Sequence, residues 1–154
     1  MAIDGLELWV PHLPPSENRI RVHRRQGGQV YSKEARDFKI VFTQYLREHY
    51  FTEINQFVTA HVPDQSIYVL SLSFTFDTVV NKGWAKGKAK SRYKKFDVGN
   101  RRKLIEDCLV EALGKTIDDS LFFELYLRKE MGREPGVHIL LEPADPEDFG
   151  VPDG

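Results

Sequence analysis

Carboxylates accompanied by one asparagine and one lysine are concentrated between residues 97 and 119 of the chain. The set consists of Asp97, Asn100, Lys103, Asp107, Asp118 and Asp119. Carboxylates that have no histidine or cysteine as partner ligands suit a hard cation that prefers oxygen ligands, such as Mg²⁺, for which Mn²⁺ is a close substitute. A nearby lysine can neutralise charge that develops on a phosphate group. These residue types therefore favour metal-assisted hydrolysis of a phosphodiester.

Helical spacing brings three of these residues onto one face. A helix is predicted over residues 98–113, with Gly114 as its C-terminal cap. At about 100° per residue, Asn100, Lys103 and Asp107 fall within roughly 60° of one another. This polar stripe runs beside a wider apolar arc that consists of Leu104, Ile105, Cys108, Leu109, Ala112 and Leu113.

The remaining acids flank this helix. Asp97 stands at its predicted N-terminus, where the helix dipole and the free amide groups favour a carboxylate. Asp118 and Asp119 follow once the chain has turned back, which could place one of them beside Asp97. Each acid also has an ordinary structural alternative, because Asp97 could simply cap the helix and Asp118 and Asp119 could form a turn or a cap. Lys103 and Asp107 could likewise form an exposed ion pair.

Charge is distributed unevenly along the chain. The net charge is −1, but ten of the 22 basic residues lie within residues 82–103, where Asp97 is the only acid. This asymmetry is expected of a local contact with a polyanion, although a solvated loop without a partner has the same composition. The predicted nucleic-acid contacts are Lys82, Lys86, Lys88, Lys90, Arg92, Lys94, Lys95, Arg101 and Arg102.

Bulk properties describe one globular domain. The chain has 154 residues, of which 41% are hydrophobic and 29% charged, as is typical of folded proteins. No apolar stretch approaches the roughly 20 residues of a membrane span. The first residues lack signal-peptide features and Cys108 is the only cysteine, so a cytoplasmic location is expected. Residues 83–88 lack the spacing of a phosphate-binding loop, and no nucleotide cofactor is expected.

Local patterns predict strands segregated from two main helices. The first helix covers residues 33–51, with Ser32 as a good N-cap. Strands are predicted at residues 5–11, 19–24, 66–77, 121–130 and 137–142. The expected fold class is α+β, with a small mixed β-sheet packed with the two helices in a single domain.

The expected domain spans residues 1–144. Within it, residues 78–95 form a mobile basic loop, since this segment combines lysines with glycine and has little to bury. Residues 145–154 are acidic and contain proline and glycine, so a disordered tail is expected there.

Several short runs form a larger motif. They are FDVGNRRK from Phe96 to Lys103, Asp107-Cys108-Leu109 and Ile117-Asp118-Asp119, together with LPPSENR from Leu13 to Arg19 near the N-terminus. In combination they resemble the RusA family of Holliday-junction resolvases, with its P-P-S-x-N segment, its D-x-D-N-x-x-K pattern, a following aspartate and a later D-D. The resemblance extends over about Leu8 to Leu141, which is nearly the whole domain.

The resemblance implies a homodimeric endodeoxyribonuclease that requires Mg²⁺ or Mn²⁺ and cuts branched double-stranded DNA by paired nicks. Transferred residue by residue, it makes Asp97, Lys103 and Asp119 catalytic, with Asp97 and Asp119 as metal ligands. Asn100 and Asn18 would support the site. The fold it implies is the α+β fold expected from the local patterns.

Position 99 departs from the family pattern. Gly99 stands where a second aspartate is expected, so the ion would have one carboxylate fewer. Asp118, Asp107 or the strand-end Asp77 are candidates to replace it. The alternative is a catalytically silent DNA-binding protein of the same fold that lost cleavage through Gly99, and structured RNA is a further candidate substrate. The basic loop is also longer than the usual family connection, and we expect it to clamp a DNA arm.

Overall fold

The computed structural model of the chain describes residues 5–16, 19–64, 66–95 and 97–152. Its main elements are β1 (Leu6–Val10), β2 (Arg21–His23), β3 (Gln29–Tyr31), α1 (Lys33–His49), α2 (Phe51–His61), β4 (Ile67–Phe76), α3 (Gly99–Ala112), β5 (Phe122–Met131) and β6 (Gly136–Ala144). Four strands form one sheet in the order β1-β6-β4-β5, while β2 and β3 form a separate hairpin. The predicted α+β class is confirmed. No helix in the described ranges is long and apolar enough to cross a membrane.

The sheet is mixed because β5 runs parallel to β4, whereas β6 is antiparallel to both β1 and β4. A parallel pair cannot be joined by a tight turn and needs a crossover connection. Here the crossover consists of the basic loop, α3 and the turn that precedes β5. The residues predicted to do chemistry therefore lie almost entirely in this one connection.

The helices cover one face of the sheet. Alternating residues of β4, such as Leu70 and Leu72, are fully buried, whereas the intervening Ser71 is only partly covered. They pack in one apolar cluster with Phe42 of α1 and Leu109 of α3. Burial of a side chain of this size contributes about 1.5–3 kcal/mol to folding. This core fixes α3 against the sheet with its polar stripe at the edge.

The first helical region differs from its prediction in length. Ser32 caps α1 as expected, and its hydroxyl oxygen accepts a hydrogen bond from the Ala35 amide at 3.1 Å. After Tyr50 the chain enters α2 at Phe51, a helix that was not predicted. The Tyr50 hydroxyl accepts from the Trp9 amide at 3.0 Å and donates to the Trp9 carbonyl at 3.2 Å. This contact with β1 fixes the junction between the two helices.

Two segments expected to lack order have local structure. The basic loop contains a 3-10 turn at Trp84–Lys86 and an isolated bridge between Val80 and Tyr93. In the tail, Pro146–Phe149 form a further 3-10 turn, and the Phe149 ring packs edge-on against Phe123 with centroids 5.7 Å apart. The tail therefore differs from its prediction over residues 146–149.

Candidate metal and nucleic-acid site

Helix α3 carries the centre of the candidate site. Its apolar arc is buried along its whole length, as predicted. Cys108 belongs to this buried arc, and burial raises its pKa to about 12, which makes it unsuited to act as a nucleophile. On the opposite edge Lys103 and Asp107 are partly exposed and Asn100 is exposed. The helix thus holds the polar stripe rigidly at the surface.

The ammonium group of Lys103 lies between two carboxylates. Its Nζ donates to Asp119 Oδ2 at 2.7 Å and lies 3.6 Å from Asp107 Oδ1. The hydrogen bond from Lys103 lowers the pKa of Asp119, and the same bond raises the pKa of Lys103. Both groups are therefore charged at neutral pH. The structure brings together three of the residues that were predicted from the sequence.

Asp119 reaches Lys103 because the chain reverses tightly after α3. Gly114 adopts a left-handed conformation with φ of +71°, which suits glycine at a helix C-terminus. Asp118 then caps the 3-10 turn Asp119–Leu121, since its carboxylate accepts from the Asp119 amide at 2.8 Å and from the Ser120 hydroxyl at 3.0 Å. Asp118 thereby holds the backbone of its neighbour in place.

Asp97 lies just before α3 and is exposed. Its Oδ1 accepts a hydrogen bond from the Gly99 amide at 2.7 Å, as expected for a carboxylate at a helix N-terminus. A Cβ atom added to Gly99 would lie 3.0 Å from the same oxygen. A longer side chain at position 99 would therefore start directly beside the Asp97 carboxylate.

Tyr31 joins the site although it was not predicted from the sequence. Its hydroxyl donates to Asp107 Oδ2, which extends the chain of contacts from Tyr31 through Asp107 and Lys103 to Asp119. Burial raises the pKa of Tyr31, and the hydrogen bond to Asp107 adds to this effect, so the phenol stays a neutral donor. The two partners are 76 residues apart, and no local pattern connects them.

Arg101 does not fit its predicted role as a DNA contact. Its side chain is only 5% exposed, its Nε donates to the Pro15 carbonyl at 3.3 Å, and its guanidinium carbon lies 5.3 Å from the centre of the Phe76 ring. A side chain buried in this way does not present its guanidinium group to solvent, which argues against the predicted role of Arg101 as a DNA contact. It instead fixes the N-terminal segment against the start of α3. Asn18, predicted to support the site from that segment, lies outside the described residues.

Arg102 is tied to a buried acid. Its Nη1 lies 2.9 Å from Oε2 of Glu106, which is 4% exposed. Burial raises the pKa of Glu106, while the neighbouring Arg102 opposes that shift. The ion pair leaves about a third of the Arg102 side chain exposed. Glu106 was not predicted to take part, because a glutamate on a helix is usually solvated.

The remaining predicted DNA contacts are available at the surface. Six of the seven loop cations are exposed, and Lys94 is partly exposed: Lys82, Lys86, Lys88, Lys90, Arg92, Lys94 and Lys95. The loop leads directly to Asp97. A polyanion bound along the loop would therefore extend towards the start of α3.

The carboxylate oxygens of the site are the ligand type that a hard cation prefers, but they do not form a complete set of ligands. Among the described residues, no group of three or more His, Cys, Asp or Glu side chains is placed to hold a metal ion. Asp118 and Asp119 line a cavity of about 400 Å³, together with Asp107, Glu111, Lys39 and Lys115. Mg²⁺ commonly takes one or two protein carboxylates and completes its shell with water and substrate phosphate. Asp77, a suggested replacement ligand, accepts a hydrogen bond from the adjacent Thr78 amide at 2.9 Å.

Comparison with protein families gives a match over most of the chain. The family model for the endodeoxyribonuclease RusA matches residues 11–142. The chain belongs to the RusA endodeoxyribonuclease family. Membership confirms the resemblance that the motifs indicated and supports a nuclease. The RusA family acts on branched DNA. Its resolvases generally depend on a divalent metal. A search of curated proteins found no match.

Proposed function

We propose that the protein is a Mg²⁺-dependent, structure-selective endodeoxyribonuclease that resolves branched DNA such as Holliday junctions. The observation that carries the proposal is the placement of the Lys103 ammonium between Asp119 and Asp107, on a helix that directly follows a basic loop. Family membership adds the reaction class. Mn²⁺ is expected to replace Mg²⁺, since both prefer oxygen ligands.

Each residue has a role in this proposal. Asp97 and Asp119 would hold the metal ion, with Asp118 orienting Asp119 or adding a ligand. When bound, the ion would polarise the phosphate and lower the pKa of a water molecule. Lys103 stabilises negative charge on the phosphate through its fixed ammonium group. Asn100 supports the site from the exposed end of the stripe, and Asp107 positions Lys103.

The proposed assembly is a homodimer in which each subunit contributes one site, because resolution of a four-way junction needs two nicks. The loop cations would hold the DNA through its phosphates. The expected location is the cytoplasm.

The second candidate function is DNA binding without cleavage. Gly99 favours this second function, because position 99 has no carboxylate that could bind a metal ion together with Asp97. Both functions predict the same fold and the same basic loop. They differ only in what happens to the phosphodiester.

Cleavage of a labelled synthetic four-way junction separates the two functions. The wild type is incubated with Mg²⁺ or Mn²⁺, and binding is measured separately in a chelator. We expect wild-type nicking, with a loss of at least about 100-fold in Asp97→Asn and in Asp119→Asn and no loss of binding, since removal of a group that stabilises the transition state typically costs this much. Asp37→Asn is the matched control, since Asp37 forms an exposed ion pair with Lys33 on α1. Junction binding without nicking at either metal would establish the silent protein instead.

A further inference from the structure

The basic loop is closed at its base by specific hydrogen bonds. The Asn81 amide donates to the Arg92 carbonyl at 2.7 Å, and the Lys94 amide donates to the Val79 carbonyl at 2.8 Å. The Asn81 side chain adds bonds to the Ser91 carbonyl at 2.7 Å and to the Tyr93 carbonyl at 3.0 Å. The two arms therefore run side by side, and the segment between them has a defined path.

The closed loop presents two aromatic rings to solvent. Trp84 begins a 3-10 turn between Gly83 and Gly87, both left-handed with φ of +90° and +69°, and its side chain is 42% exposed. Tyr93 lies at the bridge across the base and is 55% exposed. Tryptophan and tyrosine are enriched at interfaces, because their rings are apolar and each carries one polar group.

Basic residues accompany both rings. Lys82 and Lys86 flank Trp84 in the chain, and the Arg92 guanidinium carbon lies 5.3 Å from the centre of the Tyr93 ring. Other exposed aromatic residues have different surroundings. Tyr126, for example, donates its hydroxyl to Glu124. Within the basic loop, aromatic faces and cations occur together.

This combination is the chemistry that binds unpaired nucleotides. Cations follow the phosphate backbone, while aromatic faces stack on bases, and stacking contributes about 1–3 kcal/mol per base. Bases inside a duplex have no free face, so only an unpaired strand can use both features. At a branch point the continuous stack of base pairs is interrupted, so base faces can become accessible.

We propose that Trp84 and Tyr93 form a stacking platform for unpaired bases of a DNA strand held by the loop lysines. The proposal rests on the proposed action on branched DNA and names the part of the substrate that the loop recognises. Because the loop leads into Asp97, bases held by the platform would adjoin the strand presented to α3.

Binding in a chelator tests the platform without cleavage. The probes are a fluorescein-labelled duplex with a central bulge of unpaired thymidines and a fully paired duplex of the same length. Trp84→Ala and Tyr93→Ala should each weaken binding of the bulged probe about tenfold, which corresponds to about 1.4 kcal/mol. Binding of the paired probe should change less than twofold. Trp84→Phe should retain most of the preference for the bulge.

Phe51→Ala is the matched control, because Phe51 is an exposed aromatic residue on α2, outside the loop. A 2-aminopurine placed in the bulge gives a direct readout of stacking. Its emission should fall on binding to the wild type and recover in Trp84→Ala.

Two results would overturn the platform. One is equal weakening of both probes in the aromatic variants, and the other is a wild type without preference for the bulge. Junction cleavage by the same preparations is measured separately. Cleavage without a preference for the bulge would therefore refute the platform and leave the nuclease proposal intact. Preference for the bulge without cleavage would refute the nuclease proposal and leave the platform intact.

Discussion

At the scale of single residues, Lys103 holds the candidate site together through its contacts with Asp119 and Asp107. The Lys103 and Asp119 side chains are each 38% exposed, and ion pairs of this kind contribute only about 0–1 kcal/mol to stability. The arrangement is therefore better explained by orientation than by stabilisation. A fixed ammonium beside ionised carboxylates fits the proposed phosphodiester site, where it would face the charge of the phosphate.

Removing the ammonium should shift the titration of its partner. In Lys103→Met, we expect the pKa of Asp119 to rise towards its ordinary value of 3.8, because the hydrogen bond from Lys103 is the main cause of its lowering. Since the pKa of Asp119 is lower in the folded than in the unfolded protein, the interaction with Lys103 stabilises the fold at pH values above the unfolded pKa. Its contribution is lost as the pH falls through the folded pKa.

Carbon-detected NMR titration of the Asp119 carboxyl group measures this shift. Lys33→Met is the matched control, because it removes an exposed lysine that pairs with Asp37 on α1, and it should leave Asp119 unchanged. An unchanged midpoint in Lys103→Met would show that the lysine does not control the carboxylate.

Restoring an acid at position 99 should strengthen metal binding. An aspartate there would extend from a Cβ atom 3.0 Å from the Asp97 carboxylate oxygen, so Gly99→Asp would place two carboxylates side by side. We expect Mn²⁺ affinity to rise at least about tenfold in calorimetry, as an added anionic ligand favours a divalent cation. Gly99→Asn controls for shape without the charge. Equal affinities in the wild type and Gly99→Asp would mean that the ion binds elsewhere.

At the scale of elements, the β2–β3 hairpin braces α3. Tyr31 ends β3, and its ring lies 4.9 Å from the Arg21 guanidinium carbon and 5.3 Å from Lys39 Nζ. Its hydroxyl donates to Asp107 on the neighbouring helix. The hairpin thereby fixes the carboxylate on which Lys103 depends.

Loss of this hydroxyl should loosen the hairpin. We expect Tyr31→Phe to lower the free energy of unfolding by about 1 kcal/mol, since Asp107 loses a partly buried hydrogen bond. Urea denaturation measures the change. Tyr126→Phe is the matched control, because its hydroxyl meets Glu124 on an exposed strand, and no measurable change is expected. Equal stability of Tyr31→Phe and the wild type would contradict the bracing role.

The sequence predicts those elements whose signals are local. Helix α3 combines a buried arc with a cap at Gly114, and β4 has the alternation of a half-buried strand, so both appear near their expected bounds. Helix α2 was not predicted, although its buried Ile54 and Phe57 lie three residues apart, as on one face of a helix. Burial of Arg101 and the Tyr31–Asp107 contact depend on tertiary packing, which local periodicity cannot show.

At the scale of the whole molecule, the crossover between β4 and β5 unites the basic loop with α3. An acidic body then carries one concentrated positive surface, although the net charge is −1. This distribution favours attachment of a polyanion at the loop and repels it elsewhere.

The positive surface predicts strong salt dependence of DNA binding. Replacing Lys86, Lys88 and Lys90 by glutamine should weaken binding and make the plot of log affinity against log salt shallower, by about 0.9 for each DNA phosphate that is no longer neutralised. Fluorescence anisotropy across a salt series gives the slope. Lys33→Gln changes an exposed lysine of α1 outside the loop and should leave this slope unchanged. A triple variant with the wild-type slope would assign DNA binding to another surface.

A crystal of the protein soaked with Mn²⁺ and measured at the manganese absorption edge tests the central claim most directly. The anomalous signal locates the ion without reference to activity. We predict a peak within about 2.0–2.3 Å of carboxylate oxygens of Asp119 and Asp97, beside Lys103. A peak confined to other carboxylates, with none between Asp97 and Asp119, would contradict the site.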